Sequence, residues 1–329
     1  MKKTAASLLL STLALATSSV FAAGEPVIGL ITKTETNAFF VKMKEGAEAE
    51  AKKLGAKLLT AAGKSDGDTA GQITALENMA AAGAKTILIT ASGDAIAPTV
   101  KKLQAKGVQV IALDSPFLGA DALFATDNYK AGVLIGQYAK ASLAGKPAKI
   151  AMLDLLPGHP VGAQRHNGFM KGFGLVAADA TSNELSTNAS IVCMADSFGD
   201  QAKGQTAMEN CLQKNPGINV VYTINEPAAA GAFNALKKAG KEKGVIIVSV
   251  DGGCQGIRDT ASGIITATSQ QYPLKMAALG VAAGVSYAKG GKKSSGYTDT
   301  GVMLISAKAI NGVDSQDTKT GMALCWGEK

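Results

Sequence analysis

The feature that most constrains this chain is alternation: apolar runs of strand length are followed, again and again, by longer segments of helical period. Residues 27–31 form the first run. Behind it Phe40, Met43, Ala47, Ala51 and Leu54 recur at spacings of three and four, one face of a 3.6-residue period, and Gly55 stops that helix. The pattern returns as a strand at 56–59, a helix over 69–82 stopped by Gly83, a strand at 86–90, a helix over 95–106 stopped by Gly107, and a strand at 108–113. It continues with helix 129–143, strand 149–153, a helix around 165–173, strand 190–194, helix 201–213 and strand 219–223. Helix 227–239, strands 245–250 and 264–268, helix 274–288 and strand 302–305 complete it. A strand that is followed by a helix pairs with the next strand in parallel, because the helix carries the chain back across the sheet. So many units exceed one open sheet. The expected fold class is therefore α/β, with two doubly wound parallel-sheet domains.

Composition agrees. A 47% hydrophobic and 18% charged chain of 329 residues excludes wholesale disorder and suits two domains. Its 38 glycines favour helices packed closely on sheets. The formal charge of +7 is spread along the chain, so no nucleic-acid partner is expected. At the N-terminus Lys2 and Lys3 precede an apolar stretch over 5–15 and then Val20-Phe21-Ala22. This reads as a cleaved signal peptide ending at Ala22, too short in its apolar core to span a bilayer. Export gives the four cysteines meaning, since an even count in an oxidising compartment favours disulfides. Four cysteines allow three pairings. Cys193 ends a strand and Cys211 lies on the next helix, and that layout favours Cys193–Cys211 with Cys254–Cys325. No metal is expected, because the cysteines lack zinc spacing and neither His159 nor His166 has a cysteine nearby. His159, between Pro157 and Pro160, reads as a loop residue, and His166 as a surface or supporting one.

In doubly wound sheets ligands bind beyond the carboxyl ends of strands. Those ends carry Lys33 and Asn37, then Asp114-Ser115, then Arg165 in the segment after 153, Asn225-Glu226, Asp251-Gly252-Gly253 and Gln270-Gln271. Phe39 and Phe40 stand beside the first of them, Phe40 on the buried stripe and Phe39 about 100° away from it. Carboxylates, amides and guanidinium groups that each grip two hydroxyls, with aromatic rings for C–H faces, suit a sugar. Asp251 is expected to accept from two hydroxyls. Its glycine neighbours would let the backbone approach the ligand, and its carboxylate would be hydrated until the site closes. Catalytic signatures fail: Gly63-Lys64-Ser65 lacks the earlier glycine of a phosphate loop, and no GxGxxG follows the first strand. HExxH is absent too. Trp326, the single tryptophan, reads as a packing residue.

Six segments occur in order: Asn37-Ala38-Phe39-Phe40, Leu113-Asp114, Arg165-His166-Asn167-Gly168-Phe169, Ile224-Asn225-Glu226-Pro227, Val250-Asp251-Gly252-Gly253 and Ala267-Thr268-Ser269-Gln270-Gln271-Tyr272-Pro273. Together they resemble the periplasmic pentose- and hexose-binding proteins of ABC importers, the ribose-binding, LacI-related type, and are most similar to its fructose-binding subgroup. The resemblance implies a type I periplasmic binding protein, with two lobes joined by a three-segment hinge near Thr126, Gln271 and Val302. The implied partition is a signal peptide 1–22, a first lobe of 23–126 plus 272–302, and a second lobe of 127–271 plus 303–329. It implies that Asn37, Asp114, Arg165, Asn225, Asp251 and Gln271 bond the sugar, that Phe39, Phe40 and Phe198 clamp it, and that Lys33 matches a lysine of hexose binders. Ala38 stands where the family has Pro, and Ser115 where the ribose type has Arg, which argues against ribose. The glucose/galactose type's calcium loop has no counterpart. The implied protein is a periplasmic monomer without cofactor, binding one monosaccharide and docking on an ABC permease with its ATPase. The competing readings are an exported glycosidase or sugar-modifying enzyme, and a sugar sensor docking on a chemoreceptor or serving a sensor kinase.

Overall fold

The structure is a computed structural model that describes residues 24–328; the expected signal segment lies outside the described residues. From the N-terminus the chain forms β1 (Val27–Thr32), α1 (Ala38–Leu54), β2 (Lys57–Ala62), α2 (Thr69–Ala81), β3 (Thr86–Ile89), α3 (Ala97–Ala105), β4 (Gln109–Leu113) and β5 (Ala122–Ala125). It continues with α4 (Asn128–Leu143), β6 (Ile150–Asp154), α5 (Pro160–Phe173), β7 (Ile191–Asp196), α6 (Gln201–Lys214), β8 (Val220–Thr223), α7 (Glu226–Lys238) and β9 (Ile246–Asp251). The last part holds α8 (Cys254–Ser262), β10 (Ala267–Gln270), α9 (Pro273–Ala288), β11 (Gly296–Asp299), β12 (Met303–Ser306) and α10 (Thr318–Leu324).

Two six-stranded sheets result, ordered β11-β5-β4-β3-β1-β2 and β12-β10-β9-β8-β6-β7. The fold is two doubly wound α/β domains. The central strands β3, β4, β6 and β8 are buried at every position, as strands covered on both faces must be. The chain passes between the sheets after Ala125, between Gln270 and α9, and between Asp299 and Met303. One strand departs from the parallel expectation: β12 runs antiparallel to β10, at the edge of its sheet. Two strands at one side of the first sheet, β5 and the edge strand β11, have no counterpart in the sequence reading. Each has four residues, and β11 is exposed at all of them, so it carries no hydrophobic signal. Helix α8 was likewise unanticipated, β10 starts three residues later than its apolar run suggests, and α5 starts at Pro160 rather than near Arg165.

Both disulfides have the pairing that the strand–helix layout favours: Cys193–Cys211 joins β7 to α6, and Cys254–Cys325 joins the start of α8 to the residue after α10. The glycines matter most between α4 and α5. A Cβ on Gly132 would collide with the carbonyl of Arg165, one on Gly136 with that of Phe169, and ones on Gly168 and Gly172 with those of Tyr129 and Val133. Four glycines in i, i+4 pairs thus let the two backbones touch. They fix α5, and with it Arg165, against the second sheet.

Candidate functional site

Parallel register brings the strand ends of each sheet level. Ile31 pairs with Ala61 and with Ile89, so the segments after β1, β2 and β3 leave the first sheet side by side. In the second sheet Asp251 pairs with Gln270, which sets Gln271 beside the Asp251 carboxylate. Of the four non-glycine residues with positive φ among the described residues, Asp114 (61°), Phe198 (54°) and Asp251 (143°) belong to the expected site, and the fourth, Ala144, caps a helix. Such backbone costs on the order of 1–3 kcal/mol per residue and clusters where side chains must be aimed.

The second lobe's face is a bonded network. Gln271 donates through Nε2 to Asp251 Oδ1 at 2.8 Å, and Arg165 Nη1 lies 3.8 Å from the same oxygen. Arg165 is held by Asn128 Oδ1 and the Ile224 carbonyl, both at 2.8 Å. Asn225 caps α7 by accepting from Ala228 N–H and donates to the Gly199 carbonyl at 3.0 Å, fixing the turn that carries Phe198. Behind Asp251, the buried Glu226 carboxylate accepts from Gly252 N–H (2.8 Å), Gly253 N–H (3.0 Å) and Thr268 Oγ1 (2.8 Å). This changes the reading of Gly252 and Gly253: their N–H groups are bonded to Glu226, a Cβ on Gly252 would strike Gln270, and one on Gly253 would lie 3.3 Å from the Trp326 ring. With the two faces in contact, Asp251 is only 5% exposed. Burial raises its pKa to about 7 against the pull of Arg165 and Gln271, and burial beside the Asp251 charge raises Glu226 to about 8.

The first lobe's face is different. Asn37 caps α1, its Oδ1 accepting from Phe39 N–H at 2.9 Å. Phe39 and Phe40 are buried in an edge-on pair 5.4 Å apart. Asp114 Oδ2 accepts from the buried Ser115 hydroxyl at 3.0 Å, while Asp114 Oδ1 has no hydrogen-bond partner among the described residues. Asp66 Oδ1, Thr90 Oγ1 and Ser92 Oγ are likewise buried and unpartnered there, as is Gln271 Oε1. Burial raises the Asp66 pKa, with Lys33 opposing and Asp114 adding to the rise.

The two faces meet. Lys33, 3% exposed, donates through Nζ to His159 Nε2 at 3.0 Å across the lobes. Since an ammonium only donates, Nε2 accepts and the ring proton sits on Nδ1. Burial, and then the Lys33 charge, hold His159 well below the usual histidine range, so it stays neutral. His159 is thus the buried N-cap of α5 and part of the site rather than a plain loop residue. His166 is not a surface residue either: it is fully buried between Asp154 Oδ1 and the Ser186 carbonyl, each 2.8 Å away. Trp326 packs edge-on against Phe39 with centroids 5.4 Å apart. Of the expected aromatic trio, Phe39 and Phe40 come together, whereas Phe198 is 41% exposed with the Lys203 ammonium 4.1 Å above its ring.

Sequence reasoning missed Asp66, Thr90, Ser92 and His159. Asp66 sits in a Lys64-Ser65-Asp66-Gly67-Asp68 run that reads as a turn, yet the strand-end rule applied to β2 and β3 would have found it along with Thr90 and Ser92.

Two level rows of polar strand ends facing each other across two lobes define a solute-binding protein of the doubly wound class. A family model of the periplasmic binding protein domain matches residues 28–293, and the chain belongs to that family. It is 33% identical over 301 residues to the ribose import binding protein of Salmonella typhimurium, covering 90% of this chain and 96% of that one. It is 28% identical over 286 residues to the D-allose-binding periplasmic protein of Escherichia coli, covering 84% and 88%. Among solved structures, an ABC transporter periplasmic solute binding protein of Actinobacillus succinogenes with bound D-allose superposes with a TM-score of 0.75 at 25% identity, covering 86% of this chain and 98% of that one. These relatives are binding proteins, and the chain is a binding protein rather than an enzyme.

Proposed function

We propose that the chain is the periplasmic sugar-binding component of an ABC importer, closing about a hinge on one monosaccharide between its lobes. The observation that carries this is the set of buried oxygens without partners on Asp66, Thr90, Ser92 and Asp114, opposite the bonded network of Arg165, Asn225, Asp251 and Gln271, which itself leaves Gln271 Oε1 open. A polyol supplies hydroxyl donors to those acceptors and accepts from the guanidinium and amides. On this reading the lobes are 23–126 plus 272–302 and 127–271 plus 303–329. Lys33, Asn37, Asp114, Arg165, Asn225, Asp251 and Gln271 bond the sugar, and Phe39, Phe40 and Phe198 cover its apolar faces as the lobes close. The closed form binds both lobes at once and is selected by the ligand. It would present a joint surface to a permease with its ATPase, or to a chemoreceptor, as a monomer exported through the signal peptide.

Fructose is the favoured sugar. Ser115 leaves only a small hydroxyl, already bonded to Asp114, where the ribose type carries an arginine, and this supports a larger or differently turned ring. The relatives named for ribose and allose make those two sugars the natural competitors. A thermal-shift panel of fructose, ribose, allose, glucose, galactose and inositol decides, because a ligand binding only the native state stabilises it by RT ln(1 + [L]/Kd). Fructose is expected to give the largest shift. A larger shift with another sugar would replace fructose and leave the importer reading standing, and no shift with any would remove both.

A further inference from the structure

The C-terminal segment is tied to β12 through Gln316 and to Gln270 through the Gly321 carbonyl. Within α10 Gly321 is the buried residue, and Leu324 is 48% exposed. The chain then becomes tightly fixed at Cys325 and Trp326. Cys325 is bonded to Cys254, and Cys254 N–H donates to the Trp326 carbonyl at 2.9 Å. The Trp326 ring, 6% exposed, reaches three parts of the binding face. Its Nε1 donates to the Gln271 carbonyl at 2.8 Å, its edge meets Phe39, and its six-membered ring lies so close to Gly253 that a Cβ there would be 3.3 Å away. Gln271 bonds Asp251 through its side chain, and Gly253 follows Asp251 by two residues. The tryptophan therefore sits behind the Asp251–Gln271 pair while leaning on the opposite lobe's aromatic wall.

We propose that Trp326 is a positioning residue for the sugar site, clamped by the Cys254–Cys325 disulfide so that it sets Gln271 and Phe39 when the lobes close. This deepens the sugar-binding reading and rests on it. Phe39 belongs to the first lobe and Trp326 is anchored to the second, so their contact forms and breaks with closure. The disulfide at the preceding residue and the backbone hydrogen bond at Trp326's own carbonyl both fix the chain that carries the ring to Cys254.

The chain has a single tryptophan, so its own emission reports the site without a label. The panel's best sugar is titrated into the intact protein by calorimetry and by tryptophan fluorescence in parallel. Binding heat is expected to be accompanied by a blue-shifted emission saturating at the same Kd. In the Cys254→Ala/Cys325→Ala variant the indole stays but its clamp is gone. Its affinity is expected to fall about tenfold, the equivalent of one well-placed hydrogen bond, with the emission response reduced. Trp326→Phe keeps the ring contact and loses the N–H, and is expected to bind more tightly than Trp326→Ala but less tightly than the parent. Binding heat without an emission change, or wild-type affinity in the double-cysteine variant, overturns the proposal and leaves the sugar-binding reading intact. No heat from any sugar overturns both.

Discussion

On the second lobe's face Arg165, Asn225 and Asp251 spend their polar atoms on one another, on Asn128 and Gln271, or on the backbone, whereas on the first lobe's face Asp66, Thr90, Ser92 and Asp114 each keep a buried oxygen with no partner among the described residues. Both faces stand at the ends of parallel strands, so topology does not explain the contrast. What differs is the supporting layer. In the second lobe α5 is locked to α4 by backbone contact at Gly132 and Gly168, and the Glu226 carboxylate anchors the turn after β9. The network there is preorganised, so little order remains to be lost on binding. The first lobe offers acceptors whose partners must come from the ligand. The second lobe's face is the more fully bonded of the two, with Gln271 Oε1 as its own open acceptor.

The largest effect that would break this contrast is expected from Asp251→Ala. Affinity should fall by two or more powers of ten, because a carboxylate that grips hydroxyls in a closed site contributes about 1.5–3 kcal/mol per bond. The ligand-free protein should also melt lower, since the Gln271 amide and the buried Arg165 guanidinium lose a partner. Calorimetric titration and an apo melt measure both. An unchanged apo melt would mean that the second face is not preorganised by this residue.

Ser92→Ala probes the other face and should separate the two quantities. Its hydroxyl is buried and unpartnered, while its N–H is held by Gln72 Oε1 at 2.8 Å, so the substitution leaves the folded backbone undisturbed. Affinity is expected to drop about tenfold or less, with the apo melt unchanged or slightly higher. A lower melt with unaltered affinity would make Ser92 a structural residue and remove it from the site.

A separate test is a pH slope centred on two carboxylates of the second lobe. Glu226 and Asp251 have folded pKa values of about 8 and about 7, above their ordinary values of 4.5 and 3.8. Between those limits the folded chain keeps protons that the unfolded chain releases. Stability from these groups is therefore full at low pH and declines as pH rises toward 8. Glu226→Gln should flatten the decline between pH 5 and 8 in apo melts. A slope identical to the parent's would mean that Glu226 carries no such proton.

Much of this was legible in the residues. Glycines 55 and 107 end helix α1 and follow α3 by two residues, and the buried central strands announce themselves as unbroken apolar runs. Asp114, Arg165 and Asp251 follow from the strand-end rule. Strand β11 was hidden because its four exposed residues carry no alternation, and β12's direction is set by where the last crossing returns the chain. Asp66 and His159 were hidden because glycine and proline neighbours make them look like turns. Their roles come from burial that only the meeting of two lobes creates.

The threefold crossing has a consequence for how the molecule is built. The cluster beneath α1 includes Met276, Ala277, Val281 and Val285 of α9, so that face of the first sheet is only partly covered, by α1, until residues 273–288 exist. By then the intervening segment has supplied five of the second sheet's six strands and helices for both of its faces. A chain emerging from its N-terminus thus carries an open apolar surface through the synthesis of an entire second lobe, the situation in which unfinished folds most need protection. The lobe begun first is the one completed later.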